Sequence, residues 1–149
     1  LVLGKNRESA IGTLVERTTR FLIIVPLKKR DSTTVRKAFE KEFRKLPDNL
    51  KLSLTYDNGT EMAQHKTFTK NSKVKVYFAH PYSPWERPTN ENTNGLIRDY
   101  FPKGTDFNLV SKKQLKEVQN QLNERPRKTL EYESPLNTIS RLYMNQNFI

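Results

Sequence analysis

The chain has 149 residues, 34% hydrophobic and 29% charged, with 27 Lys and Arg against 16 Asp and Glu for a formal net charge of +11. It holds no cysteine, which excludes disulfides, zinc knuckles and thiol chemistry. No apolar run approaches the ~18 residues of a membrane span, nothing at the N-terminus resembles a signal peptide, and no Gly-x-Gly-x-x-Gly, P-loop or Gly-x-Ser-x-Gly supports a nucleotide cradle or a serine hydrolase.

In chain order, "LVLGK" reads as the end of a strand. Residues 11–16 and 21–26 are two β runs joined by a polar turn, a hairpin. Asp31 or Ser32 then caps a helix in which Val35, Ala38, Phe39, Glu42, Phe43 and Leu46 recur at helical spacing. "LSLTY" is a short buried strand that Asp57-Asn58-Gly59 stops, and a polar helix is expected over 60–68. "VKVYFA" is the next strand. The loop "HPYSPWERPTN" holds three of the eight prolines and the single Trp, so it is neither helix nor central strand. A helix follows over 91–101, ended by "PKGTD"; Ser111 caps another through Leu122; the basic "NERPRK" comes next; and Ser134-Pro135 opens the last helix. Five strands, three of them antiparallel and the rest alternating with helices, indicate an α/β fold: a mixed sheet flanked by helices, with a helical C-terminal portion. The length suits one domain over 1–149.

The positive charge favours a polyanionic partner, nucleic acid ahead of a membrane surface, over a merely solvated basic face. Two acids stand out against it. Asp57 sits at the carboxyl end of a central strand, where open α/β sheets place their ligands. Glu91 stands in the first turn of a helix, with Asn94, Gly95 and Arg98 expected on its outward face and Leu96, Ile97, Tyr100 and Phe101 on the sheet side. Two such carboxylates can hold a divalent cation that contacts a phosphate. They are also explained without chemistry, because Asp-Asn-Gly is a common turn and an acid in a first helical turn suits the macrodipole. From these features alone the structural reading is the stronger. Glu61 is accounted for in the same way. His65 and His80 lack partners at metal-ligand spacing and read as surface or loop histidines. Trp85 reads as an anchor beneath its proline-rich loop rather than a base-stacking platform. The sequon Asn58-Gly59-Thr60 reads as incidental.

The surrounding residues tip the balance. "TYDNGTEMA", "YFAHPYSPWERPTNENTNGLIRDYFPKGTDF", "LNERPRKTLEYESPL" and the opening "LVLGKNRESAIGTLVERTTRFLIIVPL" resemble the integrase-like catalytic core of D,D,E transposases, those of the bacterial insertion-sequence-thirty family above all. The resemblance implies a ribonuclease H-like fold and a Mg²⁺ or Mn²⁺ cofactor. It also implies cleavage and strand transfer at mobile-element ends, with water and then a DNA 3′-hydroxyl as nucleophiles. The family's second and third catalytic, metal-binding acids fall on Asp57 and Glu91, with 33 residues between them. Arg98, seven residues beyond Glu91, takes the place of a basic residue that meets the element's DNA, and Asn94 that of an Asn in the same helix. Lys103, Arg125, Arg127 and Lys128 are further candidate phosphate contacts. The resemblance implies DNA as partner, self-association in a synaptic complex, no membrane, and a bacterial cytoplasmic protein working at the nucleoid.

Two departures accompany it. Pro88 stands where the family usually has Gly, which stiffens the loop before Glu91. The family's first catalytic Asp directly precedes the "LVLGK" strand and so would fall before Leu1, so this chain by itself is expected to bind metal weakly and not to catalyse; an N-terminal helix-turn-helix region for end recognition is likewise expected outside it. The rival readings are a non-catalytic DNA-binding or assembly module derived from a transposase, and a nuclease of the same fold that only hydrolyses.

Overall fold

The computed structural model describes residues 1–47, 49, 53–56, 62–78 and 88–144, and for 88–91 and 144 it describes the backbone alone. Three strands form an antiparallel sheet in the order β1-β2-β3: β1 (Val2–Leu3), β2 (Ala10–Val15) and β3 (Leu22–Pro26). Val2 pairs with Ile11 and Leu3 with Ala10, while β2 and β3 pair from Ile11–Pro26 to Val15–Leu22. Helix α1 (Ser32–Arg44) follows, then β4 (Ser53–Tyr56), α2 (His65–Ser72) and β5 (Lys75–Phe78), with β4 and β5 paired in parallel. Helices α3 (Pro88–Tyr100), α4 (Lys112–Glu124) and α5 (Pro135–Ile139) follow, the last running on into a π-helical turn (Ser140–Met144).

The period-2 alternation of the hairpin decides the layers. Ile11, Leu22 and Ile24 face a cluster with Val2, Ile97, Phe101, Phe107, Leu115, Val118 and Leu122, which is the α3–α4 side. Leu14 and Val25 face the other, with Val35, Phe39 and Phe43 of α1, Tyr56 of β4, and Met62, Phe68 and Val74 around α2. Full burial of side chains such as Ile97 and Leu122 stabilises by about 1.5–3 kcal/mol each. Gly12 lets α1 close on the sheet, because a Cβ there would stand 2.6 Å from Phe39 Cε1.

Caps set the helix ends. Asp31 accepts from the Thr34 N–H at 3.0 Å, Ser111 and Gln114 form a reciprocal capping box, and Ser134 caps α5 with Pro135 in its first turn.

Four expectations are corrected. The expected five-stranded sheet is instead a three-stranded and a two-stranded sheet, since the two-residue β1 pairs with β2 alone and no ladder joins it to β4 among the described residues. Helix α2 lies later than 60–68, because Gln64 spends its side chain on Thr33 and Arg36 across the α1 interface and the helix starts after it. Helix α3 starts at Pro88 rather than 91: proline's fixed φ and missing N–H suit a first helical turn, so the residue read as a loop stiffener opens the helix. Tyr100 is 37% exposed rather than turned to the sheet, for a reason that lies in the contacts of α3.

Candidate active site

Helix α3 is the element that would present Glu91, and its docking is fixed by one buried row of side chains and two polar contacts with the sheet. Thr93, Ile97 and Phe101, at i, i+4 spacing, are buried. Asn94 and Arg98 flank that row, and both meet the sheet. Thr13 Oγ1 of β2 donates to Asn94 Oδ1 at 3.2 Å, and Arg98 Nη2 donates to the carbonyl of Leu3 in β1 at 2.8 Å. These polar contacts roll the helix towards its Asn94–Arg98 side and leave Tyr100 outside. Arg98 and Asn94 are therefore not on an open outward face as the helical wheel suggested. Arg98 also lies 3.4 Å from the Phe101 carbonyl and 3.5 Å from that of Pro102, tying down the end of its own helix.

These contacts give α3 a direction. Asn94 lies over Thr13 and Arg98 over Leu3, which pairs with Ala10, so α3 runs opposite to β2. Its amino end, with Glu91 one turn before Asn94, lies towards Val15 and the β2–β3 turn. On the other face Tyr56, the last residue of β4, is buried and meets Phe39 edge to face at 6.3 Å. Leu1 packs against that same cluster. Asp57, the residue after Tyr56, lies outside the described residues, as do Glu61, His80, Trp85 and the sequon 58–60; of Glu91 only the backbone is described. Among the described residues no three His, Cys, Asp or Glu gather where they could hold a metal ion. His65, read from the sequence as a surface or loop histidine, is the half-buried first residue of α2, with Nδ1 3.2 Å from the Met62 carbonyl and its ring edge-on to Phe78 at 5.0 Å.

The basic candidates divide between the two ends of the sheet. Lys103 is exposed beyond the carboxyl end of α3, beside the contact between the Lys5 N–H and the Thr105 carbonyl (2.8 Å), at the end away from Glu91. Arg125, Arg127 and Lys128 follow α4, whose own docking sends them to the other end. Asn123 accepts from the Leu22 N–H at 2.8 Å and donates to the Leu22 carbonyl at 2.9 Å, and Gln119 accepts from the Ile24 N–H at 3.0 Å. Two side-chain amides one turn apart thus satisfy the free edge of β3, as a neighbouring strand would. The carboxyl end of α4 consequently sits at the β2–β3 turn, at the same sheet end as the start of α3. Burial first, then the charges of Arg125 and Arg20, push the Arg127 proton affinity below the ordinary arginine value. Thr13, Arg20, Gln119 and Asn123 were not singled out from the sequence. For the two amides a signal existed, since they lie on the apolar face of α4 with Leu115, Val118 and Leu122.

No helix among the described residues is long and apolar enough to cross a membrane. The Integrase core domain family matches residues 1–84. Transposase InsI for insertion sequence element IS30A of Escherichia coli (strain K12) is 50% identical over 141 residues, 95% of this chain and 37% of that protein. The transposase for insertion sequence element IS1086 of Cupriavidus metallidurans is 41% identical over 145 residues, 97% of this chain and 43% of that protein. The chain thus spans less than half the length of these relatives. Among solved structures, the catalytic core domain of BIV integrase matches with a TM-score of 0.71 at 15% identity, over 96% of this chain and 92% of that one. A chain of the simian T-cell lymphotropic virus intasome in complex with PP2A regulatory subunit B56 gamma matches with a TM-score of 0.64 at 17% identity, over 86% of this chain and 51% of that one. The likeness to these two is one of fold, the α/β, ribonuclease H-like fold of retroviral integrase cores.

Proposed function

The chain belongs to the integrase core domain family, and from that premise we propose that residues 1–149 are the catalytic core of a DNA transposase, a polynucleotidyl transferase that cleaves DNA and joins its ends. The observation that carries this reading is the docking of α3: Asn94 on Thr13 and Arg98 on Leu3 hold the helix that bears Glu91 across β1 and β2. The Escherichia coli relative, 50% identical over 141 residues, is by name a transposase, and the BIV neighbour is by title an integrase catalytic core.

Asp57 and Glu91 are the proposed catalytic acids. Two carboxylates are hard oxygen donors, a set that suits Mg²⁺ or Mn²⁺ over softer metals. Bound there, such ions would activate an attacking hydroxyl and offset the charge that develops on the phosphodiester and its leaving oxygen. The chain's own part is positional. Thr13 holds Asn94 and Leu3 holds Arg98, so the backbone at residue 91 is fixed one helical turn away, and Arg98 retains N–H groups for a phosphate. Arg125, Arg127 and Lys128 lie at the same sheet end and would place the DNA backbone without reading its sequence. Lys103, at the opposite end, would meet DNA only along a longer path. The partners proposed are the ends of a mobile element and a target duplex, handled by an assembly of several copies inside a bacterial cell.

The test is metal binding and joining together. Mn²⁺ should broaden the backbone amide resonances of Tyr56 and Asn92 in wild type and not in the Asp57→Asn, Glu91→Gln double variant. Joining is assayed with the chain set in place of the matching stretch of the Escherichia coli transposase, since the chain alone is expected not to catalyse. Offering a DNA 3′-hydroxyl as acceptor then separates a transposase from a nuclease, because only the former yields joined products.

A further inference from the structure

The β2–β3 turn and the end of α4 carry an arginine cluster that the docking of α3 does not use. The two hydrogen bonds between Leu22 and Asn123 pin these segments together. Arg20 stands two residues before Leu22 and Arg125 two residues after Asn123, so this one clamp delivers both arginines to one place. Arg20 is held in the left-handed region at φ +63°, with its N–H on the Glu16 carbonyl at 2.8 Å. The Glu16 carboxylate of the same turn accepts from the Thr19 N–H at 2.6 Å, and no ion pair joins it to Arg20 among the described residues.

Arg127 is anchored from both sides. Its N–H donates to the Glu133 carbonyl at 3.1 Å, and its carbonyl accepts from the N–H groups of Leu130 (3.0 Å) and Tyr132 (2.8 Å). The side chain is half-buried; Nη2 reaches the Leu122 carbonyl at 3.4 Å, and Nε is shielded from solvent with no acceptor. An unpartnered buried donor is costly, and more so on a cation. The ion pairs among the described residues are Arg36–Glu40, Lys45–Glu42 and Arg141–Glu133, and none includes Arg20, Arg125 or Arg127. Arg20 and Arg125 thus stand near enough to lower the proton affinity of Arg127, and none of the three is held in an ion pair among the described residues.

We propose that Arg20, Arg125 and Arg127 form a phosphodiester-binding site that holds a DNA strand at the sheet end where α3 begins. The proposal rests on the transposase reading and deepens it by adding Arg20 and assigning the three residues to one site. Guanidiniums present paired donors that match phosphate oxygens, and an anion held by their accessible N–H groups offsets the repulsion that Arg20 and Arg125 exert on Arg127. A strand fits better than a free ion, because Arg125 is exposed and Tyr132, whose N–H is bonded to Arg127, is 70% exposed beside it and available to a base.

The test is binding of a short random-sequence duplex, followed by fluorescence anisotropy in EDTA over a range of salt. Arg20→Gln and Arg125→Gln should each lower the slope of log K against log salt by about 0.9, which is about eight-fold in affinity near 0.1 M salt. Arg127→Gln should lose at least as much, with its circular dichroism compared with wild type because the side chain is half-buried. Lys116→Gln, an exposed charge on α4, should leave the slope unchanged. Equal slopes for the arginine variants and wild type, or an equal loss with Lys116→Gln, would overturn the site and leave only bulk charge. Inorganic phosphate that displaces the duplex at matched ionic strength would also overturn it, in favour of a free-anion site. EDTA keeps the metal chemistry out of the readout. If joining requires Asp57 and Glu91 while the arginine slopes stay flat, this site alone fails; a chain that does not bind DNA removes both.

Discussion

Arg98 Nη2 donates to the carbonyl oxygen of Leu3 at 2.8 Å, joining the helix that carries Glu91 to the edge strand β1. A charged donor on a half-buried carbonyl contributes about 1.5–3 kcal/mol, so Arg98→Ala should lower unfolding stability by about that amount in urea titrations. The same variant tests the proposed phosphate contact independently. If Arg98 also meets DNA, the salt slope falls by about 0.9; if its work is only to hold α3, stability falls and the slope does not.

Asn123 satisfies both backbone groups of Leu22 with its one amide. Asn123→Leu keeps the volume but strands a buried N–H and a buried carbonyl, at about 1–3 kcal/mol each. A loss of about 2–5 kcal/mol is expected by denaturant unfolding, with increased self-association because the edge of β3 loses its cover. A loss below about 1 kcal/mol would mean that water replaces the amide without cost.

Gly12 is a packing glycine. The Cβ of Gly12→Ala would stand 2.6 Å from Phe39 Cε1 and 3.2 Å from Val25 Cβ. Overpacking of this kind costs about 1–3 kcal/mol. Combining it with Phe39→Leu should be less damaging than the sum of the two single changes by about 1 kcal/mol, since the residues touch. Strict additivity would place the strain elsewhere.

The carboxyl of Asp31 lies below its ordinary range, chiefly because the Thr34 hydroxyl and N–H both donate to it. A lowered folded-state value means the carboxylate adds stability that is complete above the ordinary value of 3.8 and lost as pH falls through the lowered one. Asn also caps helices, so Asp31→Asn removes the charge and keeps the cap. The stability difference between wild type and Asp31→Asn should be present near pH ~6 and disappear as pH falls below 3.8 and through the lowered folded-state value. A difference unchanged across that range would assign the effect to geometry rather than charge.

Much of the fold was legible because its signals are local. The alternation from Ile11 to Val15 and from Leu22 to Val25 declares two faces, and Asp31, Ser111 and Ser134 declare helix starts. What was not legible depends on partners distant in sequence. The roll of α3 is set by Thr13 and Leu3, more than 80 residues away, so Tyr100 turns outward although its wheel position faces the sheet. Gln119 and Asn123 stand on the apolar face of α4, a sign that they are not solvated, but the backbone groups of β3 that they satisfy are apparent only once β3 lies beside them. Arg20 becomes part of a cluster only through that same docking. Pro88 misled in a different way: a proline marks a loop or the first turn of a helix equally well, and here it opens α3. The site acids were placed by family resemblance, not by periodicity, because a turn acid and a catalytic acid look alike in sequence.

The central claim is that Asp57 and Glu91 are catalytic acids of a DNA-joining core. Its most direct test exchanges this chain for the matching stretch of 141 aligned residues in the Escherichia coli transposase. Joining of element ends to a target duplex is then assayed with Mn²⁺. The account predicts joined product from the chimera and its loss, by three orders of magnitude or thereabouts (~10³-fold), in Asp57→Asn and in Glu91→Gln, with DNA binding in EDTA unchanged. Joined product that survives either substitution, or a chimera that binds DNA and never joins it, would contradict the account.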